Sequence, residues 1–129
     1  MDKIQKKEAT TAWLLLLLWA CVIAFLTLIP GEDIPKTPLA RLDKALHLLE
    51  FFTLGFLAMN ALIKSHIHSN LGLMIILVII MGSLYGALGE WLQNFVSGRT
   101  PEIYDLVSDL IGLNLGVFMY MRGVRDWHS

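Results

Sequence analysis

From Ala12 to Ile29 every position but Thr27 is apolar, an 18-residue run long enough to cross a hydrocarbon core of roughly 30 Å as a helix. Pro30-Gly31 closes it, and Glu32 to Leu42, with Pro35 and Pro38, reads as a connecting loop, since two prolines leave little room for regular helix. A second span follows over 44–63, with Asp43 as its N-cap and with His47, Glu50, Thr53 and Asn60 interrupting the apolar run. Lys64 to Asn70 is a polar turn whose His66 and His68 read as solvated. The third span, 71–96, is apolar to Leu88 apart from Ser83, then carries Glu90 and Gln93 before Ser97-Gly98-Arg99-Thr100-Pro101 ends it. The fourth, 104–121, is the most polar. It is still predicted helical, because Asp105, Asp109, Gly112 and Gly116 recur at i, i+4, i+7 and i+11 and share a face, while Leu106, Val107, Leu110, Leu113 and Val117 cover much of the rest.

The pattern predicts an all-α membrane protein, a bundle of four transmembrane helices at about 12–29, 44–63, 71–96 and 104–121, in one membrane domain spanning 12–121. Residues 1–11 and 122–129 are short tails. At 56% hydrophobic and 16% charged the 129-residue chain is too apolar for a soluble domain of this size, and a net charge of -1 excludes a phosphate-tracking nucleic-acid binder. The single cysteine, Cys21, excludes an intrachain disulfide and a thiolate metal cage.

An even number of spans places both termini on one side, together with the loop between the second and third. Lys3, Lys6, Lys7, Lys64, Arg122 and Arg125 fall there, six of the ten basic residues, so the positive-inside rule predicts cytoplasmic termini. Of the eleven acids only Asp2, Glu8 and Asp126 share that side. The opposite, extracytoplasmic end is therefore acidic.

Three stretches deliver polar residues to that end. Asp43, Lys44, His47 and Glu50 lie on the first turns of the second helix, Glu90 and Gln93 on the last turns of the third, and Asp105 and Asp109 on the first turns of the fourth, with Arg99 in the loop before them. Charged side chains within a span cost about 2.5 to 3.5 kcal/mol each on insertion scales, so several at one depth imply a shared cavity or a paired network. Plainer roles stand beside this: Asp43 and Asp105 as helix caps, His47 as a hydrogen-bonded interior residue, and Arg99 or Lys44 as counter-ions in a purely structural network. Gly82 and Gly86 in the third helix, and Gly112 and Gly116 in the fourth, form small-residue stripes for close helix packing. Each stripe runs into acidic residues, Glu90 in one case and Asp109 and Asp105 in the other.

The segments Asp43-Lys44-x-x-His47-x-x-x-Phe51-x-x-Leu54-Gly55, Gly86-x-x-x-Glu90-x-x-Gln93-x-Phe95-Val96-x-Gly98-Arg99 and Asp105-x-x-x-Asp109-x-x-Gly112-x-x-x-Gly116 together resemble the VanZ-like membrane proteins. The resemblance covers about 30–116, in order, spacing and span layout; Gly89 and Leu92 stand where many short members carry an acidic residue and a histidine. It implies a small multi-pass protein of the bacterial cytoplasmic (inner) membrane and cell envelope, in a family associated with resistance to glycopeptide antibiotics such as teicoplanin, which act at lipid-linked wall precursors.

The resulting expectation is an outward-facing cavity that binds or protects a membrane lipid or lipid-linked cell-wall precursor, with Arg99 and Lys44 contacting an anionic group and Glu50, Glu90, Gln93 and Asp109 binding hydroxyls, amines or a bridging cation. The alternatives are an intramembrane hydrolase or transferase using His47 with Glu90 or Asp109, and a structural network without a ligand. No nucleophile motif is visible. A single histidine without a second ligand at fixed spacing predicts no resident metal, and nothing calls for another cofactor. A proton or cation pathway is disfavoured because the opposite halves of the spans offer almost no polar relay. Oligomeric state is left open.

Overall fold

The computed structural model describes residues 1–33, 40–65 and 70–127. His66 and His68, and the loop stretch containing Pro35 and Pro38, lie outside the described residues. Four α-helices are described, α1 (Lys3–Leu28), α2 (Ala40–Ser65), α3 (Leu71–Gln93) and α4 (Ile103–Trp127), and each is long and apolar enough to cross a membrane.

Local chemistry sets the helix ends. Asp2 caps α1 by accepting from the Gln5 N–H at 2.8 Å while the Gln5 side chain accepts from the Asp2 N–H at 2.9 Å, a reciprocal capping box. Nothing between Lys3 and Thr11 breaks a helix, so α1 starts well before its apolar run. Three further boundaries move. α2 opens at Ala40, so Asp43 sits within its first turn and is not its N-cap; the carboxylate still lies near the positive end of the helix dipole. α3 ends at Gln93 instead of near 96, because Phe95 and Val96 donate to Leu92 and Gln93 at 3.0 and 3.1 Å in tight turns. α4 continues past 121 to Trp127.

Packing follows the order α1–α2–α4–α3 around the bundle, with α2 also touching α3 across it; α2 and α4 share the most extensive contact. Large apolar side chains such as Leu14, Leu18 and Phe25 on α1, Met81 and Leu84 on α3, and Phe118 on α4 are exposed, as a lipid-facing surface requires. Four small polar residues on the spans satisfy themselves against their own helix. Thr53, Ser83, Ser108 and Asn114 each donate to the carbonyl four residues back, at 2.6 to 2.9 Å.

The glycine stripes do not mate with each other as a seam between α3 and α4. A Cβ at Gly112 would overlap the Leu48 carbonyl and one at Gly116 the Phe52 carbonyl, so the α4 stripe lies directly on the backbone of α2. Gly82 and Gly86 on α3 make room for side chains instead: Leu113 of α4 at the first, Asp109 of α4 and the Phe51 ring of α2 at the second.

This asymmetry is testable by substitution. Gly116→Val is expected to lower stability by about 1 to 3 kcal/mol or more, because the obstructing atoms are backbone and cannot rotate away. Gly123, where a Cβ would have nothing within 4 Å among the described residues, should accept alanine with an unchanged or slightly higher unfolding temperature. Thermal unfolding of both variants in the same detergent checks the pair.

Candidate functional site

At the end of the bundle formed by the C-termini of α1 and α3 and the N-termini of α2 and α4, the side chains of α2 meet those of α4 in register. His47 Nδ1 lies 2.9 Å from Asp109 Oδ1, with both side chains largely buried. One turn nearer the end, Lys44 Nζ bridges Asp105 Oδ1 at 3.0 Å and Glu102 Oε2 at 2.8 Å, and stands 6.0 Å from the Tyr104 ring centroid. Both pairings depend on the closeness of α2 to α4 at Gly112 and Gly116.

Glu90 reaches the same place from α3. Its Oε2 accepts from the Glu102 N–H at 3.0 Å. The Glu102 carbonyl in turn accepts from Asp105 N–H at 3.0 Å as α4 begins, so Glu102 holds the N-cap position. A carboxylate on α3 thus satisfies a backbone donor at the start of α4, the service that the third residue of a helix supplies in an ordinary capping box. Asp105 occupies that third position, and its buried carboxylate faces Lys44 instead.

His47, Glu90 and Asp109 line a cavity of about 50 Å³ whose remaining walls are mostly apolar, among them Ile23, Thr27 and Leu28 of α1, Phe51 of α2 and Tyr85 and Leu88 of α3. Gly86 belongs to this wall; a Cβ there would come within 3.1 Å of Asp109 Oδ2 and 3.2 Å of the Phe51 ring. Tyr85 also lines a larger, apolar cavity of about 430 Å³ bounded by α1, α2, α3 and Leu113 of α4, which includes Leu16, Leu54 and Val78. The Tyr85 hydroxyl donates to the Ala20 carbonyl at 2.5 Å, which holds the ring between α3 and α1.

Arg99 is the expected site residue that the fold places elsewhere. Its Nε and Nη2 donate to the carbonyls of Ile29 and Leu26, each at 3.1 Å. Those carbonyls end α1 without helical partners, and a guanidinium there also meets the negative end of the helix dipole. The turn carrying Arg99 is clamped to the same spot. Gly31 N–H donates to Ser97 O at 2.9 Å and Ser97 Oγ to Glu32 Oε1 at 3.0 Å; Gly98 takes φ +70°, and a Cβ on Gly31 would overlap the Gly98 carbonyl. Glycine at both positions is a condition of the contact.

The other candidates lie nearby with lesser parts. Gln93 is buried at the last residue of α3, and its carbonyl accepts from Val96. Glu50 is partly buried one turn along α2 from His47, where its carbonyl accepts from Trp19 Nε1 at 2.9 Å. Asp43 comes close enough to His47 and Asp105 for one donor atom from each to lie within 4.8 Å of the others, and the same holds for His47, Glu90 and Asp109. Helical spacing brings Asp43 and His47 to one face of α2 and the acids of α3 and α4 to the same end, but which of them come within ligating distance of His47 depends on how the helices pack. Glu102 escapes a reading along the chain, although Glu102 and Asp105 stand at the N-cap and third-residue spacing that marks a helix start.

A family model described as VanZ/LLP1 matches residues 12–124. The chain belongs to this family. No match was found among curated proteins or among solved structures. Membership in VanZ/LLP1 agrees with the four membrane-spanning helices and covers every residue of the site just described.

Arg99→Ala should therefore act as a stability variant. Loss of two charge-assisted hydrogen bonds at the end of α1 is expected to cost about 1 to 3 kcal/mol, seen as a lower unfolding temperature in detergent. An unfolding temperature equal to that of the parent would remove the capping role.

Proposed function

We propose that this VanZ/LLP1 protein binds the polar head of a membrane amphiphile, a lipid or lipid-linked envelope precursor, in the cavity lined by His47, Glu90 and Asp109. The observation that carries this reading is the convergence of those three side chains from α2, α3 and α4 on one cavity whose other walls are mostly apolar. A site with a few placed polar groups in apolar walls suits a ligand that is polar at one end. The larger apolar cavity beyond Tyr85 offers adjoining space for a hydrocarbon chain.

The distribution of Lys and Arg favours cytoplasmic termini, which in the bacterial inner membrane that the family resemblance implies turns the cavity end outward, toward the leaflet where lipid-linked wall precursors are used. The association of VanZ-like proteins with glycopeptide resistance is in keeping with such a ligand. Lys44 and Arg99 are committed to Asp105 and Glu102 and to the end of α1. The ligand is accordingly engaged by the imidazole and the two carboxylates.

The test uses protein reconstituted in nanodiscs and a panel of phospholipids and polyprenyl phosphates, with bound lipid quantified by mass spectrometry. Asp109→Asn and Glu90→Gln are each expected to weaken binding of the preferred lipid about tenfold or more, the equivalent of one charge-assisted hydrogen bond. Folded Arg99→Ala should bind like the parent. Unchanged binding in both carboxylate variants overturns the reading.

The 2.9 Å contact between His47 and Asp109 favours a second reading, head-group hydrolysis or transfer. An ionised Asp109 would hold the proton on Nδ1 and leave Nε2 to take a proton from water or a hydroxyl. Product formed by the parent and lost in His47→Ala, with lipid binding retained, would establish it; absence of turnover across the panel would exclude it.

A further inference from the structure

We propose that His47, Glu90 and Asp109 form a site for one divalent transition-metal cation, and that this cation presents the acidic cavity to an anionic head group. The inference rests on the reading of the cavity as a head-group site for its use, while cation binding itself can be measured alone.

Three observations carry it. The donor set is one imidazole nitrogen and two carboxylates whose ligating atoms all lie within 4.8 Å of one another; a four-coordinate shell with bonds of about 2.0 to 2.1 Å places ligands roughly 3.3 Å apart, so modest side-chain rotation closes it. Nitrogen with carboxylate oxygen suits Mn²⁺ or Zn²⁺ better than Mg²⁺ or Ca²⁺. Next, each carboxylate keeps an oxygen in reserve. Asp109 is 2% exposed and uses Oδ1 toward His47, and Glu90 is 9% exposed and uses Oε2 toward Glu102 N–H. Asp109 Oδ2 and Glu90 Oε1 have no hydrogen-bond partner among the described residues, and both side chains line the cavity. Third, that lining contains no Lys or Arg among the described residues. The two carboxylates share a single imidazole in a mostly apolar cavity, so a cation balances the charge left over, and a volume of about 50 Å³ holds an ion with a few waters.

The neighbouring group of Asp43, His47 and Asp105 is the weaker candidate. Asp105 Oδ1 is already held by the Lys44 ammonium at 3.0 Å. Gly86 supports the choice, because a Cβ there would press on Asp109 Oδ2 at 3.1 Å and on the Phe51 ring at 3.2 Å and push one of them aside.

The experiment takes the full chain in nanodiscs, strips it with EDTA and titrates Mn²⁺, following loss of the free-ion electron paramagnetic resonance signal. One Mn²⁺ per chain is expected, with affinity falling at least tenfold in Asp109→Asn and Glu90→Gln. Because either variant could fail to fold, the parent itself carries a second readout: spin-echo modulation from a single imidazole nitrogen on bound Mn²⁺, absent in His47→Gln. Substoichiometric binding, or binding without nitrogen modulation, overturns the cation site. Lipid binding measured with and without EDTA separates the two claims. Lipid bound equally after stripping leaves the head-group reading intact and overturns the bridging cation, whereas Mn²⁺ bound stoichiometrically with no lipid retained supports the cation site and overturns the head-group reading.

Discussion

The contact between the α4 glycine stripe and the backbone of α2 is the constraint from which the site follows. Gly112 and Gly116 lie against the carbonyls of Leu48 and Phe52 with no space for a side chain, so the two helices approach more closely than side-chain packing would allow. Lys44 and His47 stand one turn apart on α2, and Asp105 and Asp109 one turn apart on α4. With the axes this close, the ladders meet rung for rung, Lys44 with Asp105 and His47 with Asp109. A bulkier stripe would separate both pairs at once.

Charge disposal at this end of the bundle obeys the cost of leaving ionisable groups unpaired in a medium of low dielectric. Of the acids gathered there, Asp105 and Glu102 share one ammonium, Asp109 has the imidazole, and Glu90 has a backbone donor at the start of α4. Arg99, the cation nearest in sequence to these acids, is diverted to the unsatisfied carbonyls of α1. The cavity is thereby left with an imidazole and two carboxylates and without a side-chain cation among its described lining residues, which makes its chemistry that of a donor set for cations, hydroxyls and amines.

The helix count, the polar character of one end and the identity of its residues were legible in the chain because each is a matter of run length and period. An 18-residue apolar run reads as a span whatever it packs against, and the i, i+4, i+7 spacing on α4 puts Asp105, Asp109 and Gly112 on one face before any neighbour is known. Boundaries were less legible. Lys3 to Thr11 has no apolar run yet continues α1, and the shift of the α2 start from Asp43 to Ala40 turns an expected cap into a first-turn residue.

By itself the sequence determined that this is a four-span membrane protein with acids and a histidine at one depth, since hydrophobic length and helical period are local properties. Tertiary structure alone decided partnership: that Gly112 and Gly116 face α2 and not α3, that Arg99 closes α1 instead of entering the cavity, and that Glu90 meets Glu102. Helical period specifies which residues share a face. Which face meets which neighbour depends on how four helices satisfy steric and electrostatic demands together.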